Sequence, residues 1–228
     1  MAHYSRLKVL TTMIDIGMIP VFYHPDPIVT VNVINACLDG GARCFEFTNR
    51  GDRAHEVFGE VIHQLSSDNR LILGTGSVIE AGTAALYIQL GSNFIVGPNL
   101  NPDVARLCNR RKVAYSPGCG SVTEISQAEE LGVEICKIFP GSSVGGPDFV
   151  KDLLGPMPWT RIMPTGGVDA TEESVTQWIK AGVACVGMGS KLFPKDVIAA
   201  GEYSKITEKV KAVLGWVKAA RGDKAPIA

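Results

Sequence analysis

One unit recurs along this sequence: a short apolar run, a break of Gly, Pro, Thr or Ser, and then a longer amphipathic stretch. Eight of the short runs read as strands, at 18–23, 43–48, 71–74, 94–96, 113–116, 134–139, 161–164 and 184–187. Their starts recur about every 24 residues, the length of one strand, one helix and two short loops. The stretches between them read as helices. Residues 27–38 carry Ile28, Val31, Ile34, Ala36 and Leu38, and residues 53–65 carry Ala54, Val57, Phe58, Val61, Ile62 and Leu65 at helical spacing. A third, at 172–181, is entered through Asp169 and Thr171. Gly40, Gly91, Gly132 and Gly182 each stand just before the next strand as helix stops. Buried strands alternating with amphipathic helices imply a parallel sheet, and eight such units predict an α/β fold of the (β/α)₈ TIM-barrel type. An N-terminal helix precedes the first strand, the whole of 1–228 is expected to be one domain, and 217–228 is expected to fray as a flexible tail. An open doubly wound sheet would normally place a G-x-G-x-x-G turn after its first strand, and none follows here.

Composition narrows the function classes. The 228 residues carry 22 Lys and Arg against 23 Asp and Glu, a balance that gives no surface for a polyanion, so no nucleic-acid partner is expected. Apolar residues make up 46% and charged residues 20%, which supports a sizeable core. No apolar run approaches the ~20 residues of a membrane span, so no membrane partner is expected. The six cysteines form no C-x-x-C pair, and no His stands near them at zinc-site spacing. They read as buried thiols of a reducing, cytoplasmic setting in a chain that begins without a secretory signal. No metal and no cofactor are expected. The four histidines are scattered, and none is singled out. The 25 Gly and 13 Pro, without any period, mark a chain that turns often.

Two charges are out of place. Side chains alternate across a barrel strand, so Cys44, Glu46, Thr48 and then Arg50 share one face, as do Ile135, Lys137 and Phe139. Glu46 stands between Phe45 and Phe47, and Lys137 among Ile135, Cys136, Ile138 and Phe139. A buried ion pair, or two side chains reaching out at a barrel end, would account for them structurally. Charges near the C-terminal ends of barrel strands also mark catalytic positions. The loops add Gly74-Thr75-Gly76-Ser77 after the third strand, Pro164-Thr165-Gly166-Gly167 after the seventh and Gly187-Met188-Gly189-Ser190 after the eighth. The last two occupy the position of a barrel's usual phosphate site, with Ser190 as a hydroxyl donor and Lys191 facing either the anion or solvent.

The runs Arg43–Arg50 (RCFEFTNR), Gly74–Val78 (GTGSV), Cys136–Pro140 (CKIFP), Pro164–Val168 (PTGGV) and Gly187–Ser190 (GMGS) resemble those of a known family. It is the family of 2-keto-3-deoxy-6-phosphogluconate (KDPG) aldolase and 4-hydroxy-2-oxoglutarate (KHG) aldolase. The resemblance extends in order from the first strand to about Tyr203. It implies a class I, metal-free lyase of carbohydrate metabolism on a (β/α)₈ barrel, usually a homotrimer, acting on a small phosphorylated 2-oxo acid.

By that resemblance Lys137 is the Schiff-base nucleophile and Glu46 the proton shuttle. Arg50 and Thr75 hold the substrate carboxylate, Pro98 ends the fourth strand, and Phe139 packs against the iminium. Gly166, Gly167 and Ser190 hold a distal phosphate. The sequence departs from the family pattern at Gly51-Asp52-Arg53 and in the loop 140–146, which bears on the aldehyde half rather than on the reaction type. Two other readings stay open: a phosphate-binding barrel isomerase or synthase, which has no use for a lysine in the sixth strand, and a non-catalytic barrel that binds a phosphorylated metabolite. A metal-dependent aldolase lacks a ligand cluster in the sequence.

Overall fold

The computed structural model describes residues 2–222. Its strands are β1 (Met18–Phe22), β2 (Cys44–Thr48), β3 (Ile72–Gly76), β4 (Phe94–Val96), β5 (Ala114–Ser116), β6 (Gly118–Cys119), β7 (Cys136–Ile138), β8 (Ile162–Pro164) and β9 (Val186–Met188). They pair in parallel in the orders β5-β4-β3-β2-β1-β9 and β6-β7-β8, and a bridge between Thr165 and Gly187 joins β8 to β9. β5 and β6 are two halves of one barrel strand, interrupted at Pro117, which has no N–H to give a ladder. Counted that way, eight parallel strands close a (β/α)₈ barrel, as the repeat predicts.

The helices are α1 (Arg6–Ile16), α2 (Pro27–Asp39), α3 (Ala54–Leu65), α4 (Ala81–Leu90), α5 (Pro102–Arg111) and α6 (Val122–Glu130). After β7 come α7 (Gly141–Val144) and α8 (Gly146–Leu154), after β8 α9 (Glu172–Lys180), and after β9 α10 (Lys195–Ala199) and α11 (Tyr203–Arg221). Their starts follow local chemistry. The side chains of Asp26, Asn101, Ser121 and Thr171 each accept a hydrogen bond from a first-turn amide, and Pro27 and Pro102 preset the first helical residue.

Two apolar layers hold the barrel. Inside it, Ile19, Cys44, Ile72, Phe94, Ala114, Ile135, Met163 and Cys185 pack on Val9, Leu10 and Met13 of α1, which plugs the end opposite the strand C-termini. Outside it, Phe45, Phe47, Leu73, Ile95, Cys136 and Ile138 face the helix ring. Each fully buried aliphatic or aromatic side chain contributes about 1.5–3 kcal/mol, so these layers leave room for a few unfavourable polar groups.

The structure corrects several details. β3 runs on through Gly76, because Thr75 and Gly76 pair with Phe47 and Thr48; the Gly-Thr-Gly run is strand, not loop. Ile34, Ala36 and Leu38 are buried as the spacing of α2 predicts, but Ile28 is 62% exposed, and Val33 and Cys37 are buried beside them. The chain expected to fray from 217 is helical to Arg221. Val217 is buried there, and the Arg221 guanidinium donates to the carbonyls of Asp15 (3.0 Å) and Ala184 (2.7 Å). Residues 223–228 of that expected tail lie outside the described residues.

Gly40 does not supply the left-handed turn that ends α2. Gly41 does, at φ 106°, while Gly40 is right-handed and packs under α11, where a Cβ would stand 2.6 Å from Val210. Gly40→Ala is therefore expected to destabilise the fold. Overpacking costs about 1–3 kcal/mol, more than the roughly 0.4–1 kcal/mol gained from a stiffer unfolded chain. Urea unfolding of the two proteins checks this, with a lower midpoint expected for the variant.

Candidate active site

Lys137 is the central residue of β7. Its backbone N–H donates to the Pro117 carbonyl (3.0 Å), and it is in register with Gly118 on one side and Met163 on the other. Cys136 and Ile138 point out into the helix layer, so Lys137 points into the barrel, where it is 4% exposed. Its Nζ lies 4.9 Å from the centre of the Phe139 ring, within cation–π range. Burial pushes the amine below the ordinary lysine range; the Glu46 carboxylate pulls it back up, and Arg50 pushes it down again.

Glu46 reaches the same interior from β2, where Phe45 and Phe47 face outward, and is 1% exposed. Burial pushes its carboxyl up from the usual range, opposed by the positive charges of Lys137 and then Arg50. Its Oε2 has no hydrogen-bond partner among the described residues. A buried acceptor left so costs about 1–3 kcal/mol, which is tolerable where a reacting proton is to be received. Gly76 on β3 makes the space: a Cβ there would fall 1.8 Å from Glu46 Oε1.

Above these two groups opens a cavity of about 850 Å³ whose wall includes Thr48, Arg50, Phe139, Thr165, Gly166, Gly167 and Ser190. Arg50 follows β2, and its Nε donates to Ser77 Oγ (3.1 Å). Ser77, which meets Arg50, and Arg53, just before α3, are both in the left-handed region at φ 60° and 58°, which non-glycine residues adopt uncommonly. On the far side Gly166 and Gly167 take φ 83° and 82° and bring main-chain groups to the cavity wall. Ser190, Lys191, Lys195 and His24 complete that end, with Lys191 paired to Asp169 at 3.5 Å. The rim can thus accept a carboxylate at Arg50 and a second anion at the glycine turns, with an amine and a carboxylate beneath. No group of three or more His, Cys, Asp or Glu that could hold a metal occurs among the described residues.

The structure brings Arg50, Phe139, Gly166, Gly167 and Ser190 to the cavity wall, with Lys137 and Glu46 buried inside the barrel and not on the wall itself, Arg50 acting on the charge of both. Thr75 is elsewhere. It is in register with the outward-facing Phe47 and Ile95, and its hydroxyl is hydrogen-bonded to Ser92 Oγ (3.1 Å) in the helix layer. Ser77, two residues on, is the hydroxyl that meets Arg50. Pro98 is not on the cavity wall but beside Gly118, where a Cβ would stand 2.2 Å from the Pro98 carbonyl oxygen. Thr165 lies in the Pro164–Val168 run, which assigns it no role, and His24 carries no signal in the sequence that singles it out. Thr165 continues the inward parity of Met163 on β8, and its buried Oγ1 has no partner among the described residues. His24 has only its place two residues after β1 to recommend it.

Fold and site together define a (β/α)₈ barrel centred on a buried lysine beneath an anion-accepting rim. The aldolase family model described as KDPG and KHG aldolase matches residues 9–209, and the chain belongs to this family. A 2-dehydro-3-deoxy-phosphogluconate aldolase of Treponema pallidum is 33% identical over 177 residues, 78% of this chain and 82% of its own. One from Pseudoalteromonas atlantica is 30% identical over 200 residues, 87% of this chain and 90% of its own. The crystal structure of KDPG aldolase from Legionella pneumophila, with pyruvate captured as a covalent carbinolamine, superposes with a TM-score of 0.81. It is 25% identical, over 90% of this chain and 97% of that one.

Because a methyl group at Gly76 and the Glu46 carboxylate cannot share the barrel interior, Gly76→Ala is expected to lower aldol turnover about as much as Glu46→Gln does. General-base catalysis is worth about 10²–10⁴-fold. Steady-state rates of pyruvate release for the two variants check this, and a Gly76→Ala rate near that of the wild type would contradict the geometry.

Proposed function

We propose that the protein is a class I aldolase that cleaves KDPG to pyruvate and glyceraldehyde 3-phosphate, and KHG to pyruvate and glyoxylate. The observation that carries this reading is the placement of Lys137 inside the barrel, its amine held below the ordinary lysine range by burial, in the field of Glu46 and under a rim with Arg50 on one side and Gly166–Gly167 on the other.

The neutral Lys137 amine attacks C2 of the substrate, the carbonyl oxygen takes up a proton, and the carbinolamine loses water to give an iminium. Phe139 presents its ring face to that cation. Glu46 takes the proton of the C4 hydroxyl as the C3–C4 bond breaks; the electron pair moves into the iminium to leave an enamine, and the aldehyde departs. Glu46 then returns the proton to C3, and water hydrolyses the resulting iminium to release pyruvate and free Lys137. Arg50, fixed by Ser77, holds the substrate carboxylate, and Gly166, Gly167 and Ser190 hold the terminal phosphate with the positive charge of Lys195 close by. Thr165, whose hydroxyl on the cavity wall has no partner among the described residues, is placed to meet a hydroxyl of the substrate.

The family resemblance supports a homotrimer, and six free, buried cysteines support a reducing cytoplasmic setting. The relatives' names support the reaction, and the pyruvate carbinolamine of the Legionella pneumophila enzyme supports its covalent course.

Incubating the protein with pyruvate and borohydride tests the reading. The expected result is a reduced pyruvate adduct on the peptide that contains Lys137, together with pyruvate release from KDPG, both lost in Lys137→Met. Binding of KDPG with neither adduct nor pyruvate would instead support a non-catalytic barrel.

A further inference from the structure

We propose that a ladder of four aromatic rings, Tyr23–Phe47–Phe58–Tyr87, clamps the loop that carries Arg50, and that Tyr23 and Gly51 are matched to one another within it. The proposal rests on the reading of Arg50 as the holder of the substrate carboxylate.

The rings come from four separate segments of the chain. Tyr23 directly follows β1, Phe47 is on the outer face of β2, Phe58 on α3 and Tyr87 on α4. Neighbouring rings meet edge to face, with centroids 5.5 Å apart for Tyr23 and Phe47, 5.5 Å for Phe47 and Phe58, and 5.1 Å for Phe58 and Tyr87. Phe47, Phe58 and Tyr87 are buried, so the ladder has little freedom to shift.

Both ends of the ladder grip the same loop. At one end the Tyr87 hydroxyl donates to Asn49 Oδ1 (2.9 Å). At the other the Tyr23 phenol oxygen presses on Gly51 so closely that a Cβ there would stand 2.0 Å from it. Asn49 and Gly51 are the two neighbours of Arg50. The Asn49 N–H is also tied to the Gly76 carbonyl (2.9 Å), and the Arg50 side chain to Ser77 (3.1 Å). Gly51 is not among the residues of positive φ, so nothing in its backbone calls for glycine; the space taken by Tyr23 does. Tyr23 makes no hydrogen bond through its hydroxyl among the described residues, so its part in the clamp is steric.

A guanidinium on a strand-to-helix loop recognises a carboxylate well only if its fork is held within a fraction of an ångström. Phe47, Phe58 and Tyr87 supply that restraint from the helix layer, out of reach of the substrate, while Tyr23 is itself on the cavity wall. Tyr87 is thus a positioning residue, acting on Arg50 through Asn49, and the Tyr23–Gly51 contact accounts for a glycine at position 51.

The test is steady-state kinetics on a 2-oxo-4-hydroxy acid, with borohydride trapping of pyruvate as a control. Tyr87→Phe keeps the ring and removes one hydrogen bond; it is expected to raise KM about fivefold with kcat within about twofold of the wild type. Gly51→Ala is expected to raise KM by about tenfold or more, and adding Tyr23→Ala to it is expected to bring KM back down. An unchanged KM in Tyr87→Phe overturns the clamp even if Gly51→Ala fails to fold. So does a KM for the combined variant no lower than that of Gly51→Ala. A wild type that traps no pyruvate would remove the aldolase reading itself, whereas trapping with a flat KM across the variants removes only the clamp.

Discussion

Placing an amine and a carboxyl group inside one apolar barrel is the condition on which the other features depend. A tenfold change in the ratio of charged to neutral form corresponds to about 1.4 kcal/mol, so even modest differences in environment decide which form each group takes. Burial works against both charges at once, and each group is the largest charged influence opposing the other's loss of charge. The outcome is an amine that gives up its proton more readily than an exposed lysine and a carboxyl that keeps its proton more readily than an exposed glutamate. Those are the properties needed for a nucleophile and for a group that both takes and returns a proton. The cost is carried by the two apolar layers around them, the α1 plug inside and the helix ring outside.

The division of labour within the barrel follows from the same condition. Glu46 and Lys137, the reacting groups of the proposed mechanism, stand on β2 and β7, whose positions are fixed by ladders on both sides. The residues proposed for recognition lie on the loops, where single residues are held by specific contacts: Arg50 by Ser77, and Gly166 by the Ser142 amide donating to its carbonyl (3.1 Å). The frame is that of the family, and the aromatic ladder ends on the loop after β2 that carries Arg50.

Much of this is legible in the sequence because it rests on period and burial. The strand–helix repeat implies the barrel, and a lone Lys and a lone Glu within apolar strands mark the interior charges. Thr75 is misplaced by a sequence reading for a physical reason. Its Gly-Thr-Gly setting reads as loop by propensity, yet pairing with β2 extends the strand through it. Period two then sends Thr75 outward with Leu73. Counting that alternation from Ile72 would have found it. Helix α7 lies hidden in the glycine-rich run 140–146, where a helical turn forms because the Gly141 and Ser142 amides donate to the carbonyls of Thr165 and Gly166. The roles of Ser77, Tyr23 and Gly51 have no local signature, since each depends on a neighbour distant in sequence.

The titration of the Lys137 amine, followed by NMR in selectively labelled protein, tests the central claim most directly. The account predicts a midpoint below the ordinary lysine value of about 10.4. In Glu46→Gln the midpoint should fall further, because the carboxylate that stabilises the ammonium form is gone while the burial and the Arg50 charge that destabilise it remain. A Lys137 that titrates at the ordinary value in the folded protein, or one whose midpoint rises when Glu46 loses its charge, would contradict it.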